Sequence, residues 1–199
     1  MLSNLIDEGK GRFVICDHDL RINIRKGKNA KIILNGKCKL NSWLGGKTPI
    51  NIHLGDNAML LIDGDFEIGH GVGIMVGEYA KLTIGGCENE SGAGITCDTK
   101  IMVNKSLTIG KDFICSWGVF ITDSDWHMIE GQTPTQGVTI ADHVWVGNNC
   151  SILKGTHIGN GCIVASHSKL YLKSFDEDSL IGGVPAKLIK RPVRWRRDL

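Results

Sequence analysis

Seven histidines are spread along this chain of 199 residues, and one of them keeps company that chemistry can use. His127 closes the run Asp123-Ser124-Asp125-Trp126-His127, so two carboxylates and an indole stand beside an imidazole. Free imidazole titrates at about pH 6.5, which suits it to taking the proton of a hydroxyl that attacks an acyl carbon. A carboxylate beside the ring would orient it and stabilise the imidazolium. Asp125 and Asp123 both qualify, because residues two apart share a face of an extended segment. They serve equally well as turn-capping residues, and spacing alone does not choose. The remaining histidines offer less. His143, His157 and His167 fall between inward positions of a repeat, and His18, His53 and His70 have no reactive neighbours in the sequence.

The seven cysteines, Cys16, Cys38, Cys87, Cys97, Cys115, Cys150 and Cys162, form no Cys-x-x-Cys pair and are odd in number. They read as small buried hydrophobes, neither a zinc site nor a disulfide framework, and no metal site is expected.

The elements that must position His127 begin just after it. From Ile140 to Lys169 a branched aliphatic recurs every six residues, at Ile140, Val146, Ile152, Ile158 and Val164. Four places after each comes a small or β-branched residue: Val144, Cys150, Thr156, Cys162 and Ser168. Six is not a multiple of 3.6, so a helix does not explain the period. A hexapeptide repeat is the signature of a parallel β-helix, in which short strands stack coil upon coil. The fold class is therefore all-β.

Upstream the inward residues keep one parity. They are even-numbered from Ile22 to Ile84, odd from Ile95 to Ile121, and even again from Val138. One parity means one buried face. Each flip requires an inserted odd number of residues, which places loops at about 85–94 and 122–137. Loops interrupting a rigid rod are natural places for function. At about 18 residues per coil, residues 22–170 without the loops make about seven turns. Beyond Leu170 the repeat fades; the Gly182–Ile189 stretch reads as extended, and 193–199 reads as a basic, solvated tail after a single domain over 1–192.

Bulk composition agrees. Apolar residues make up 42%, Gly is abundant at 26 and Pro scarce at 4, as many tight corners around a slim core require. A net charge of +2 argues against a nucleic-acid-binding domain. No apolar run is long enough for a transmembrane helix, and the first residues lack the apolar stretch of a secretory signal, so a cytoplasmic setting is expected.

The hexapeptide run with Val144-Trp145-Val146-Gly147, the Asp123–His127 loop before it and the terminal Gly183-Val-Pro-Ala-Lys187 block occur in this order. Together they resemble the hexapeptide-repeat, left-handed β-helix O-acetyltransferases, within them the bacterial enzymes that acetylate sugars and surface polysaccharides. The resemblance implies a left-handed coil, acetyl-CoA as co-substrate, a carbohydrate acceptor and a homotrimer with active sites between subunits.

It also implies roles. His127 occupies the position of the family's catalytic base. Trp145 stands in the family's Trp-Ile-Gly motif with Val146 replacing Ile, and alternation points it outward, to an acceptor or acetyl-CoA site or to a subunit contact. Trp126, with Trp117, is a candidate aromatic floor for a sugar. Asp98 and Asn104 lie about one and a half coils and one coil before the loop, in a zone where the family places acceptor contacts. Gly147, Ala165 and Ser166 fit the groove for the pantetheine arm, although Ala165-Ser166-His167 replaces a more glycine-rich corner. Lys173, Lys187, Lys190 and Arg191 suit the phosphates. Direct transfer in a ternary complex follows, with no acyl-enzyme.

Three rival readings stand beside this one. Carbonic-anhydrase-like hexapeptide proteins use two zinc-binding histidines five apart, and no two histidines here have that spacing. A non-catalytic scaffold would lack the loop base. A streptogramin-type antibiotic O-acetyltransferase would share the chemistry and differ in acceptor.

Overall fold

A computed structural model describes residues 2–88 and 92–198. Residues 89–91 of the first expected loop and Leu199 of the tail lie outside the described residues. The chain winds as a left-handed parallel β-helix of triangular section. Face I carries nine strands, eight parallel and one antiparallel; faces II and III carry seven each. Among the described residues no helix is long and apolar enough to cross a membrane.

The parity pattern becomes ladders of stacked side chains. On face II Ile24, Ile52, Ile74, Ile101, Ile121, Ile152 and Leu170 lie one above another in register. All but Ile24, at the first level, are buried. Fully burying each such side chain contributes about 1.5–3 kcal/mol. The backbone hydrogen bonds run from each coil to the next, so every inner strand is paired on both sides.

Coil length departs from the expected 18. Only the last coils keep it, as with Leu170 beside Ile152. Earlier partners are 20 residues apart (Ile101 and Ile121), 27 (Ile74 and Ile101) or 28 (Ile24 and Ile52). The excess sits at the edges. The 42–49 excursion on the I/II edge adds an even number of residues and so left no parity signal. The coil holding the His127 loop is 31 residues long, from Ile121 to Ile152, an odd number, which is why parity flips there.

Corner residues share two devices. Many adopt positive φ, among them Asn57, Asp98, Asp112, His143 and His167. Carboxylates at several corners accept amide hydrogens from the coil beneath: Asp56 from Lys28 at 2.8 Å, Asp65 from Lys37 at 2.7 Å and Asp142 from Lys111 at 2.7 Å. At the far end Leu180–Gly183 and Ala186–Lys190 pair antiparallel, so the extended terminal segment is a hairpin that tucks Ala186 into the core.

All seven cysteines are free, and only Cys16 is exposed. Burial pushes the Cys38 thiol up to about 12, leaving it without thiolate character at neutral pH. In the native protein iodoacetamide is expected to modify Cys16 alone, with the other six reacting only after denaturation, as mass spectrometry would count. Prompt native labelling of Cys38 or Cys115 would show that the coil opens.

Candidate active site

The loop between Phe120–Thr122 and Val138–Ile140 leaves the rod at the II/III edge. Asp123, at its root, is fully buried, and its carboxylate accepts the amides of Asn104 at 2.7 Å, Lys105 at 2.8 Å and Ser106 at 2.7 Å. This is the corner device of the rod, multiplied. Both Asp123 oxygens are committed to these amides, so Asp123 anchors the loop, which corrects the expectation that it orients His127. Asn104 lies directly under the loop, as coil stacking implied; its side chain donates to Thr135 at 2.9 Å.

The two arms of the loop pair with each other. Ser124 and Thr135 hydroxyls lie 2.9 Å apart, and the Asp125 amide donates to Pro134 O at 2.9 Å. Trp126 folds back, its indole N–H donating to Thr122 at 3.0 Å. Asp125 is ion-paired to Lys154, whose ammonium also donates to Thr133 O at 2.7 Å and lies 5.7 Å from the Tyr171 ring centre. The Lys154 side chain is only 2% exposed. The hydrogen bond to Asp125 raises its pKa and keeps it charged. Together these contacts fix a platform from which the tip projects. His127 is exposed and makes no side-chain hydrogen bond among the described residues, and beside it Met128 is 78% and Ile129 46% exposed.

An apolar cleft of about 420 Å³ lies alongside, lined by Leu153, Lys169, Tyr171, Val184 and Pro185. Tyr171 lines this cleft and also lies against Lys154, which links the cleft to the support of the loop. The cleft suits an extended, weakly polar arm with a cation at its side.

The other predicted residues divide among different edges. Gly147, Ala165 and Ser166 stack at the I/II edge, where a Cβ on Gly147 would fall 2.7 Å from the Ser166 amide. Lys187 and Lys190 are exposed on the terminal hairpin. Lys173 reaches Ala186 O at 3.4 Å, and Arg191 pairs with Asp176 at 2.8 Å, so neither is an idle cation. Asp98 stands at the I/II edge, away from the His127 loop, which corrects its placement near that loop. Trp117 stands at that same edge and does not share a floor with Trp126. Trp145 projects from face I, 39% exposed.

Comparison with known proteins gives this arrangement a context. A sequence model of the bacterial transferase hexapeptide family (six repeats) matches residues 137–171. The polysialic acid O-acetyltransferase of Neisseria meningitidis is 34% identical over 188 residues, covering 87% of this chain and 78% of that protein. The chain belongs to the hexapeptide-repeat O-acetyltransferase family. WbbJ of Escherichia coli K12, named for O-acetyl transfer in lipopolysaccharide biosynthesis, is 36% identical over 101 residues, 44% of this chain and 51% of that protein. The chain thus spans only about half the length of that relative. The crystal structure of the polysialic acid O-acetyltransferase OatWY superposes with a TM-score of 0.69 at 27% identity, over 96% of this chain and 92% of that one.

Two features of this family member left little trace in the sequence. Lys154 shares the even, inward parity of Ile152 and Thr156, and a lysine there must be buried with a partner. The second is the C-terminus, which is no solvated tail. Trp195 is buried, stacks on His143 with ring centres 4.0 Å apart, donates to His143 O at 3.1 Å and lies 6.1 Å from Trp145. His143 also meets Asp112 at 2.6 Å, and Arg197 clasps the same carboxylate. A lone tryptophan among arginines was the available signal.

Burial alone would raise the Asp112 pKa, but hydrogen bonds from His143 and Arg197 outweigh it and hold the carboxyl below its ordinary 3.8. A depressed carboxylate contributes stability that is complete above 3.8 and lost as pH falls through the lower, folded value. The strap is therefore expected to stay docked at neutral pH and to loosen in acid below that range. The Trp195 indole resonance would report it, and Asp112→Ala should loosen the strap at neutral pH.

Proposed function

We propose that the chain transfers acetyl from acetyl-CoA to a sugar hydroxyl of a surface polysaccharide, with His127 as general base. The observation that carries this reading is an exposed imidazole, without a side-chain hydrogen bond among the described residues, held on an anchored loop whose Lys154 support lies against Tyr171 of an apolar cleft. The names of the relatives support the acceptor class: polysialic acid in one and lipopolysaccharide biosynthesis in another.

In this reading neutral His127 takes the proton as the sugar oxygen attacks the thioester carbonyl. Backbone N–H groups of a neighbouring coil hold the oxyanion, and CoA leaves as the thiol. The pantetheine arm lies in the cleft beside Tyr171 and the Gly147–Ala165–Ser166 edge, with Lys173, Lys187 and Lys190 near the phosphates. Cys115, Cys150 and Cys162 are buried and serve as packing, so transfer is direct. Asp125 acts through Lys154, holding the loop. Seven free thiols suit a reducing compartment, the cytoplasm.

The assembly is a homotrimer with sites between copies. The II/III edge that bears His127 lies opposite face I, which bears Trp145, so one copy does not unite them. A three-fold ring sets the loop of one copy against face I of the next. The apolar tip, Met128 and Ile129, gains cover in that contact.

His127→Ala is expected to lower acetyl transfer by about 10²–10⁴-fold while circular dichroism stays that of the folded rod. Free-thiol release from acetyl-CoA, measured with polysaccharide, nucleotide-sugar and antibiotic acceptors, checks it. Undiminished release in the variant would remove His127 from the mechanism, and transfer to an antibiotic alone would replace the acceptor.

A further inference from the structure

A notch on face I lies in register with Trp145. Reading down the outward positions of that face, Trp145 neighbours Ile114, Ile114 neighbours Gly94, and Gly94 neighbours Glu67. Only Gly94 lacks a side chain, and a Cβ there would fall 2.6 Å from Glu67 O, so the gap is built into the packing. The gap opens a cavity of about 180 Å³ flanked by Trp43, Asn41, Glu67, Thr96 and Ile114.

Its walls are held in place. Asn41 donates to Glu67 at 3.1 Å, and Lys39 stands 3.7 Å from the same carboxylate, so the polar wall is oriented and locally neutralised. Trp43 is 54% exposed, yet its loop is fixed from behind. The Trp43 amide donates to Nδ1 of buried His70 at 3.1 Å, and Gly46 packs so closely on that imidazole that a Cβ would overlap it. A backbone N–H can only donate, so Nδ1 accepts and the neutral ring keeps its proton on Nε2, 3.8 Å from Asp98. His70, Cys97 and Asp98 offer ligand atoms within 4.8 Å of one another. With the proton on Nε2, His70 serves as a clasp for the Trp43 loop. His70 was expected to lack company and has it.

An exposed indole facing an oriented amide–carboxylate pair matches a pyranose, which has an apolar C–H face and hydroxyls at its rim. Gly94, at the centre of the notch, stands two strand spacings from Trp145, about 10 Å, along the rod axis. We infer that it is a second acceptor subsite, which binds a sugar unit of the same polymer a few residues from the one acetylated. The acceptor chain then runs along face I, parallel to the rod, and the enzyme favours polymers over single sugars. This rests on the acceptor reading above.

The test uses the full-length protein and a size-fractionated partial hydrolysate of the source cell's own surface polysaccharide. Transfer from radiolabelled acetyl-CoA is measured for each fraction. Wild type is expected to show a lower KM for long fractions than for short ones. Trp43→Ala is expected to raise the long-fraction KM about tenfold and erase the preference. Trp43→Phe should retain most of it. Equal KM across sizes in wild type, or an undisturbed preference in Trp43→Ala, overturns the subsite. A Trp43→Ala protein of altered mass by light scattering also overturns it, because the notch is then a contact between copies. The same fractions are titrated onto His127→Ala by calorimetry. Trp43-dependent binding without transfer by wild type would sink the transfer reading and leave the subsite standing. Neither binding nor transfer would sink both.

Discussion

The backbone hydrogen bonds that run from each coil to the next leave this chain little freedom. Every inner strand has its donors and acceptors taken up by the levels above and below, and its inward side chains must match those levels in register. A coil therefore cannot lengthen along a face; it lengthens only at an edge. The excursions at 42–49 and 123–137 and the tight hairpin near Pro185 all leave at edges or at the open end. His127 and Trp43 are both carried on these departures, held by the ladders of the rod.

The anchoring of the His127 loop follows from the same constraint. An edge breaks the ladder and leaves amides of the coil beneath without partners. Asp56, Asp65 and Asp142 each satisfy one of them. Asp123 satisfies three, because the long loop withdraws the strand that would otherwise have covered Asn104 to Ser106. The buried Lys154–Asp125 pair secures the next part of the loop. An unpaired lysine at that position is disfavoured, so the pair constrains the loop whatever its net worth to stability. The loop is thus fixed at its root and exposed at its tip, the arrangement that the proposed role of His127 calls for.

Much of the fold was legible because alternation and a six-residue period leave a direct trace in the sequence. The inward residues from Ile32 to Ile84 and from Ile95 to Ile121 are buried in the parity they were assigned. Loops with an odd number of extra residues announced themselves by flipping that parity, whereas the even 42–49 excursion did not. His127 was legible from its loop and neighbours. Its supporting contacts were not, since they join residues a whole coil apart. Spacing made Asp123 a candidate orienter, and only the packing of Asn104, Lys105 and Ser106 beneath it shows that the carboxylate is already taken. The strap was hidden for a similar reason: Trp195 meets His143 and Asp112 across distances at which no periodic signal survives.

A triangular rod presents each edge opposite a face, and this geometry bears on how many copies act together. The imidazole sits on one edge, the small-residue column on a second, and Trp145 on the face opposite the first. Moving these groups together within a single chain would require breaking the ladders that stabilise it. Placing rods side by side requires nothing of the kind, and it covers the apolar tip at Met128 and Ile129 that a lone chain leaves in water. Face I would then carry both the groove for an extended acceptor and the surface that receives a neighbour's base. The C-terminal segment with Trp195 secures the edge of that face nearest Trp145, because its indole lies against both His143 and Trp145.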